Sequence, residues 1–406
     1  MYFLQIAWSN VLRNRRRSLS MFVVAALGVS MIVFTNGFTD GISANMSSSI
    51  INQIDGHIRI QHKDYKKYYI TDQEKVLLAD WQGVSQAVTK IAHVQRAMPR
   101  VMMGGLISHD DKTTTFFGAA SDLAQLPAVL PDYAINLVTG KPLSADDPGG
   151  VLLGTSLAKS LSVKVGDELV LLSKTVRGEQ SNTLVHVRGI VNYPTDDKVE
   201  QSLLLSALDK PIADDLLELN AGATQLVLRL DDEAHVPEVM AALDALFAAR
   251  GLPWKAIAWN ENPVYARVVG MFTGIGVLIT FVLVVMVGVI TSNALLMAFF
   301  ERIREIGTMR AVGMDTWQVH ALLYIESSIV GVLGASGGLV LGTGLTALAG
   351  GTGIPLDLIG QSVYPQLGLA SVLVSTLCPI ACIVVAATMP IRSATRMSVT
   401  DALNYQ

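Results

Sequence analysis

Charge is scarce in this chain of 406 residues: Asp, Glu, Lys and Arg make up 16% of it and aromatic residues 6%, against 51% apolar residues. Together with a mean hydropathy of +0.44, this excludes a water-soluble protein of ordinary composition. No G-x-x-x-x-G-K-[S/T] loop occurs, so the chain does not cradle a nucleotide phosphate by that route, and any ATP would be bound by another chain. No H-E-x-x-H occurs either, and the long apolar runs carry no paired carboxylates, so neither a metal site nor a catalytic residue is expected. Cysteine appears twice, as Cys378 and Cys382 in the last apolar run. One helical turn apart, they read as small packing residues, and the polar block between residues 39 and 267 holds no disulfide.

Four apolar runs are long enough to cross a bilayer, which takes about 20 residues. The first is Leu19 to Phe38, and the second runs uncharged from Val268 to Phe300. The third starts near Ala321, holds Glu326 as its one acid and becomes glycine-rich from Gly331 to Gly351; the fourth is Leu367 to Ile391. Arg13, Arg15, Arg16 and Arg17 precede the first run, Arg302, Arg304 and Arg310 follow the second, and Arg392 and Arg396 follow the fourth. The loop at residues 350–366 has neither Lys nor Arg. Because basic flanks stay in the cytoplasm, both termini and the segment at 301–315 are expected there, with the large polar block outside. The expected layout is a basic amphipathic helix at 1–18, spans at 19–40, 267–300, 320–349 and 367–391, an outer domain at 41–266, and a cytoplasmic tail at 392–406. The pair Arg16-Arg17 before an apolar run resembles a twin-arginine export signal, but the run is span-length and is read as an uncleaved anchor.

The outer block carries a net charge of −7, which argues against a nucleic-acid partner. It is long enough for two lobes, and its pattern is α+β. Ile58 and Ile60 alternate with Arg59 and Gln61 as in a half-buried strand, and His57 and His62 on it read as solvated residues rather than a metal pair. GGVLLGTSLAKSLSVKVGDELVLLS, residues 149–173, reads as strand, short helix, turn at Gly166-Asp167 and strand. Strands are expected at 185–191 and 224–230 and a helix at 236–250. At the N-terminus, Phe3, Ile6, Ala7, Trp8 and Val11 form an apolar stripe suited to the inner interface.

Within the apolar runs, Gly334, Gly338 and Gly342 recur at four-residue intervals, as do Gly270 and Gly274, which predicts faces for close helix packing. GASG at 334–337 matches a short intramembrane serine motif, but Ser336 has no base within its run and reads as one more small residue. Glu326 is either a functional intramembrane acid or a partner for an arginine of the 301–315 segment.

That segment, ERIREIGTMRAVGMD, sets three arginines and three acids between two apolar walls. Ile303, Ile306, Arg310, Gly313 and Trp317 fall on one predicted helical face, Gly313 is placed to end the helix, and Asp315 to cap the next. The pattern resembles the FtsX/MacB-type permeases of ABC transporters, with their E-R-x-R-E-I-G-x-x-R-A-x-G segment standing here as Glu301, Arg302, Arg304, Glu305, Ile306, Gly307, Arg310, Ala311 and Gly313. The opening IAWSNVLRNRRRSL and the closing PIRSATRMSVTDAL extend the resemblance along the chain, with Ser398-Val399 where a proline is usual. TNGFTDGISANM, GHIRIQHKDY and GVLLGTSLAKSLSVKVGDELVLL look most like lipoprotein-releasing permeases.

The resemblance implies a membrane protein with four transmembrane α-helices and a large α+β extracytoplasmic domain inserted between helices 1 and 2. It implies an inner-membrane, non-enzymatic subunit whose coupling residues dock on an ABC ATPase present in two copies, where ATP and Mg bind. It also implies a second permease, identical or homologous, a periplasmic carrier or adaptor, and lipid or lipoprotein cargo. MacB-type efflux and FtsX-like signalling to a cell-wall hydrolase are the alternatives.

Overall fold

The computed structural model describes residues 2–13, 15–69, 73–78, 80–144, 146–147, 149–192, 206–219, 222–356 and 361–396. The closing motif from residue 397 onward, including Ser398-Val399, lies outside these. In chain order the helices are α1 (Tyr2–Arg13), α2 (Arg15–Ser49), α3 (Tyr65–Tyr68), α4 (Trp81–Val88), α5 (Leu126–Val129), α6 (Thr155–Leu161), α7 (Lys210–Leu217), α8 (Val236–Arg250), α9 (Pro263–Glu301), α10 (Ile303–Ala311), α11 (Thr316–Thr352), α12 (Leu369–Ala386) and α13 (Thr388–Arg396). Contacts divide the chain into two units, residues 46–268 with 356–361 and the remainder.

The helical unit contains four stretches with the length and apolarity to cross a membrane: Ser18–Ile54, Pro263–Glu301, Thr316–Thr352 and Leu369–Ser393. The helix carrying the first of these starts at Arg15, because nothing in RRRS breaks helical geometry. The glycine strip of α11 packs on α2. A methyl group added at Gly334 would sit 2.5 Å from the Ala25 side chain, one at Gly338 2.6 Å from Val29, and one at Gly342 2.6 Å from Val33. Gly270 and Gly274, with the same spacing in α9, face open space, so the packing expected of them is not found among the described residues. The close approaches of α9 are instead at Gly276 against Thr39 and Gly288 against Cys382, since a neighbour rather than the spacing makes a seam. Asn36 ties three helices, donating to Ser375 Oγ at 2.8 Å and accepting from Thr280 Oγ1 at 3.2 Å. The Ser336 hydroxyl back-bonds to the Val332 carbonyl at 2.8 Å, as a small helical serine does.

The other unit is built on one ten-stranded sheet: β1 (Ile58–His62), β2 (Val94–His109), β3 (Lys112–Ser121), β4 (Leu137–Gly140), β5 (Gly150–Gly154), β6 (Glu168–Lys174), β7 (Gln180–Val191), β8 (Ser206–Asp209), β9 (Gln225–Leu230) and β10 (Trp254–Ala258). Its central order is β10-β1-β9-β2-β6-β7-β4, with β3 pairing β2 and β8, and β5 running parallel to β7. Strand β9, QLVLRL, is apolar on both sides because both faces are covered. Leu226, Leu228 and Leu230 join Val239, Leu243 and Phe247 of α8 in one cluster, while Val227 joins Leu126 and Val129 of α5 in another.

The strand β1 departs from the expected half-solvated pattern. Its apolar face is buried through Ile58 and Ile60 as predicted, but Gln61 on the polar face is buried too, and Arg59 nearly so. They join a polar network in which Asp55 accepts from Arg100 Nη2 at 2.8 Å, Arg59 Nη1 at 2.7 Å and Asn262 Nδ2 at 2.6 Å. Arg100 also donates to Gln225 Oε1 from Nε at 2.9 Å and to the Ile54 carbonyl. Burial alone would raise the Asp55 pKa, but the two guanidiniums hold it far below the usual carboxylate range. His57 is likewise buried rather than solvated: its Nδ1 accepts the Leu230 N–H at 3.3 Å. Desolvation, reinforced by Arg229, pushes its pKa down to about 4.

Candidate functional site

The charged segment between α9 and α11 folds as expected in outline and differs in which side chains it shows. Helix α9 continues to Glu301, and the backbone breaks at Arg302, whose φ of −106° and ψ of 14° leave the helical region. The nine-residue α10 follows and ends in a double reversal: Gly313 N–H donates to the Arg310 carbonyl at 3.1 Å and Met314 N–H to the Met309 carbonyl at 3.1 Å. Gly313 has a φ of +106°, which a side chain rarely adopts, so the predicted glycine stop is present. Asp315 occupies the N-cap position of α11, where its own N–H donates to Gln318 Oε1 at 3.1 Å.

Burial sorts the motif residues into two groups. Ile303, Ile306 and Gly307 are buried, and Ile306 packs with Met21, Leu295, Phe299, Val319 and Leu323. Glu301, Arg304, Glu305, Ala311 and Gly313 are exposed, and Arg310 is half-buried. The predicted continuous face from Ile303 to Trp317 therefore stops at Arg310. Beyond the reversal at Gly313, Trp317 is 62% exposed, and Val312, just before that glycine, is 84% exposed. An apolar pair this accessible, flanked by charge, was not expected from the helical stripe.

Arg302 points inward, not outward. Its Nη1 donates to both oxygens of Glu326, at 3.0 and 3.1 Å, and its Nε to Glu305 Oε2 at 2.9 Å. The Arg302 and Glu326 side chains are 14% and 9% exposed, so this ion pair is largely desolvated. Of the two readings open for Glu326, the structure shows the pairing with an arginine of the segment. Glu305 also accepts from Arg13 Nη2 at 2.6 Å, which joins the end of α1 to α10. In the sequence Arg13 is one of the basic residues that precede the first apolar run. Its partner is 292 residues away, and no local pattern announces such a pair.

The sheet unit holds a second feature with the dimensions of a ligand site. A cleft of about 930 Å³ lies along β2, β3 and β6, lined by Tyr69, Leu106, Phe116, Phe117, Leu172 and Val176, with Lys174 and Arg177 also on its wall. Such a size and a mixed lining suit an amphipathic molecule better than an ion. Sequence reading missed it because β2 and β3, with their Met-Met-Gly-Gly and Thr-Thr-Thr runs, show neither strict alternation nor a continuous aliphatic run.

Two protein families match successive parts of the chain. The FtsX-like permease C-terminal family matches residues 276–399, and the MacB-like periplasmic core domain family matches residues 19–246. The lipoprotein-releasing system transmembrane protein LolC of Xylella fastidiosa is 22% identical over 97% of this chain and 97% of its own length. The macrolide export ATP-binding/permease protein MacB of Haemophilus ducreyi is 30% identical over 128 residues, 32% of this chain and 17% of its own. The crystal structure of the periplasmic region of MacB from Actinobacillus actinomycetemcomitans covers 50% of this chain and 88% of its own at 14% identity, with a TM-score of 0.34.

Proposed function

Because the chain belongs to the FtsX-like and MacB-like family of ABC-transporter permeases, we propose that α10 with its flanks is the handle by which a separate ATPase subunit moves this protein. The observation that carries the reading is the sorting of the motif. Arg304, Glu305, Val312 and Trp317 are presented to a partner, while Ile303, Ile306 and the Arg302–Glu326 pair fasten the same short helix to α9 and α11. Arg302, Ile306 and Gly307 then act as internal braces, and the contact set narrows to Glu301, Arg304, Glu305 and Arg310 plus the two exposed apolar residues. A push on α10 is passed to α9, which is continuous from Pro263 to Glu301.

The membrane topology follows the arginines: termini and α10 in the cytoplasm, the sheet unit in the periplasm, the whole in the inner membrane. A second permease, identical or homologous, completes the complex. The cargo is an amphipathic molecule, a lipoprotein or a lipid-like relative, and the cleft beside Phe116 and Phe117 is where its apolar part would lodge. The near full-length relation to a lipoprotein-releasing protein supports that class over export of a macrolide or signalling to a hydrolase.

The experiment pairs the chain with its cognate ATPase in nanodiscs. Truncating an exposed aromatic at the centre of an interface costs about 2 kcal/mol, roughly thirty-fold in affinity. Trp317→Ala and Arg304→Ala are each expected to lower ATPase capture and stimulated ATP turnover while leaving membrane insertion intact. Unchanged turnover in the double variant would remove α10 from the interface.

A further inference from the structure

Far from the charged helix in sequence, the sheet unit brings together three side chains that sequence reading did not connect. Strands β2 and β9 run antiparallel with Val94 opposite Leu230, so His93, just before β2, and Asp231, just after β9, meet at one end of the pair. A backbone bond from Asp231 N–H to the His93 carbonyl, 3.1 Å, holds them there. The chain then makes a single turn of 3₁₀-helix, Glu233–His235, whose N-cap Asp232 accepts from Ala234 N–H at 2.8 Å. That turn returns His235 to Asp231 immediately before α8. His93 itself has a φ of +70°, the left-handed region, and this swings its ring over that of His235.

The outcome is a convergent donor set. His93 Nδ1 lies 2.9 Å from Asp231 Oδ2 and His235 Nδ1 2.9 Å from Asp231 Oδ1, and all three ligand atoms fall within 4.8 Å of one another. The imidazole rings are stacked, 3.6 Å between centroids and 19° from parallel. With both imidazoles neutral, each Nδ1–H donates to one oxygen of Asp231. The same three atoms can take a metal ion in place of those two protons, with both imidazoles binding through neutral Nδ1 and the carboxylate supplying the third donor. The surroundings favour a cation, with Asp232, Glu233 and Glu238 in the same turn and the helix it starts. The buried His57 nearby is already committed to the Leu230 N–H. Each of the three side chains is about a third exposed, so a hydrated ion can reach them.

We propose that His93, Asp231 and His235 form a divalent transition-metal site of the zinc class, with three protein ligands and a fourth position open to water. The imidazole-rich donor set selects against Mg²⁺ and Ca²⁺, which take oxygen ligands. The ion clips the start of β2, the end of β9 and the entry to α8 to one another.

The test uses the full chain in detergent micelles, purified without a histidine tag and stripped with a chelator, and titrated with Zn²⁺ against a chromophoric competitor. One ion per chain is expected, undisplaced by excess Mg²⁺ or Ca²⁺. His93→Asn, which keeps a residue tolerant of positive φ, and His235→Gln should each weaken binding at least tenfold. A control at His62, outside the cluster, should leave it unchanged. Zinc X-ray absorption on the wild-type chain needs no variant: two imidazole nitrogens at about 2.0–2.1 Å are expected. Absence of stoichiometric Zn²⁺ binding, a zinc shell without two imidazoles, or full affinity in the double histidine variant would each overturn the assignment.

Discussion

Replacing Asp55 by alanine should be among the most damaging single changes in the sheet unit, although the residue touches no ligand. Asp55 is the carboxylate at the centre of its network: Arg100 and Arg59 reach it at 2.8 and 2.7 Å, and Asn262 at 2.6 Å. Asp55→Ala strands Arg100, whose side chain is 6% exposed, with only neutral acceptors on Gln225 and Ile54, and leaves Arg59 repelling it across the gap. Removing one partner of a buried pair costs about 3–5 kcal/mol, since the other charge stays buried. For a unit of this size, about 2–4 °C per kcal/mol, the melting temperature should fall by about 6–20 °C. Arg59→Ala should cost less, about 1.5–3 kcal/mol, because Asp55 keeps Arg100 and Asn262. The sign of the acid dependence is also set. A carboxylate whose folded pKa is depressed stabilises fully above its unfolded value of about 3.9, and the contribution is lost as pH falls below that. Calorimetry of the full chain in detergent, followed by the sheet signal in far-UV circular dichroism, measures both effects. An Asp55→Ala melt within about 2 °C of wild type would show that the network is not holding the unit together.

His57, with its folded pKa pushed down to about 4, must take up a proton on unfolding at mildly acidic pH, so stability should fall from pH 6.5 toward 4, by about 2 kcal/mol at pH 5; His57→Asn should flatten that slope in denaturant titrations. Arg302→Ala leaves Glu326 desolvated without its partner and should lower the yield of folded protein, whereas replacing both residues by methionine should recover it and still impair ATPase stimulation; size-exclusion profiles and turnover read the two effects separately. Gly338→Val drives a branched side chain into Val29 and the Ala26 carbonyl and should cost about 1–3 kcal/mol or more, while Gly270→Val, with open space around it, should be tolerated in the same melting assay.

The contrast between Gly338 and Gly270 illustrates what the chain discloses before it folds. Span-length apolar runs, the glycine stop at 313 and the strand-helix-strand pattern at 149–173 depend on local sequence, and each appears as expected. Arg59 and Gln61 read as the solvent face of a strand because alternation reports which residues share a side and not what lies opposite. That side is closed by Asp55, which precedes β1, and by Asn262, which precedes α9, 207 residues apart. Likewise Arg302 looked like one more exposed charge of the segment, and only its partner in α11 shows that it faces inward. The histidine cluster was hidden for the same reason: His57 and His62 were neighbours on paper, while His93 and His235 are neighbours in space.

The glycine strip of α11 carries a further consequence for how the helices respond to load. In a bilayer the acyl chains are as good a packing partner for leucine as another helix is, so only close small-residue contact makes one helix prefer a particular neighbour. Helices α2 and α11 have that contact over about two turns, from Ala25 to Val33. The apolar stretch of α9 has little of it: only 17% of that stretch is buried within the chain, and Val277, Leu278, Phe281 and Val289 lie open. Sliding α9 therefore exchanges one hydrocarbon surface for another at small cost, whereas parting α2 from α11 opens a void that lipid fills poorly. Helix α9, which leads into α10, is one of two spans whose neighbours are replaceable in this way; the span in α12 is buried to the same extent.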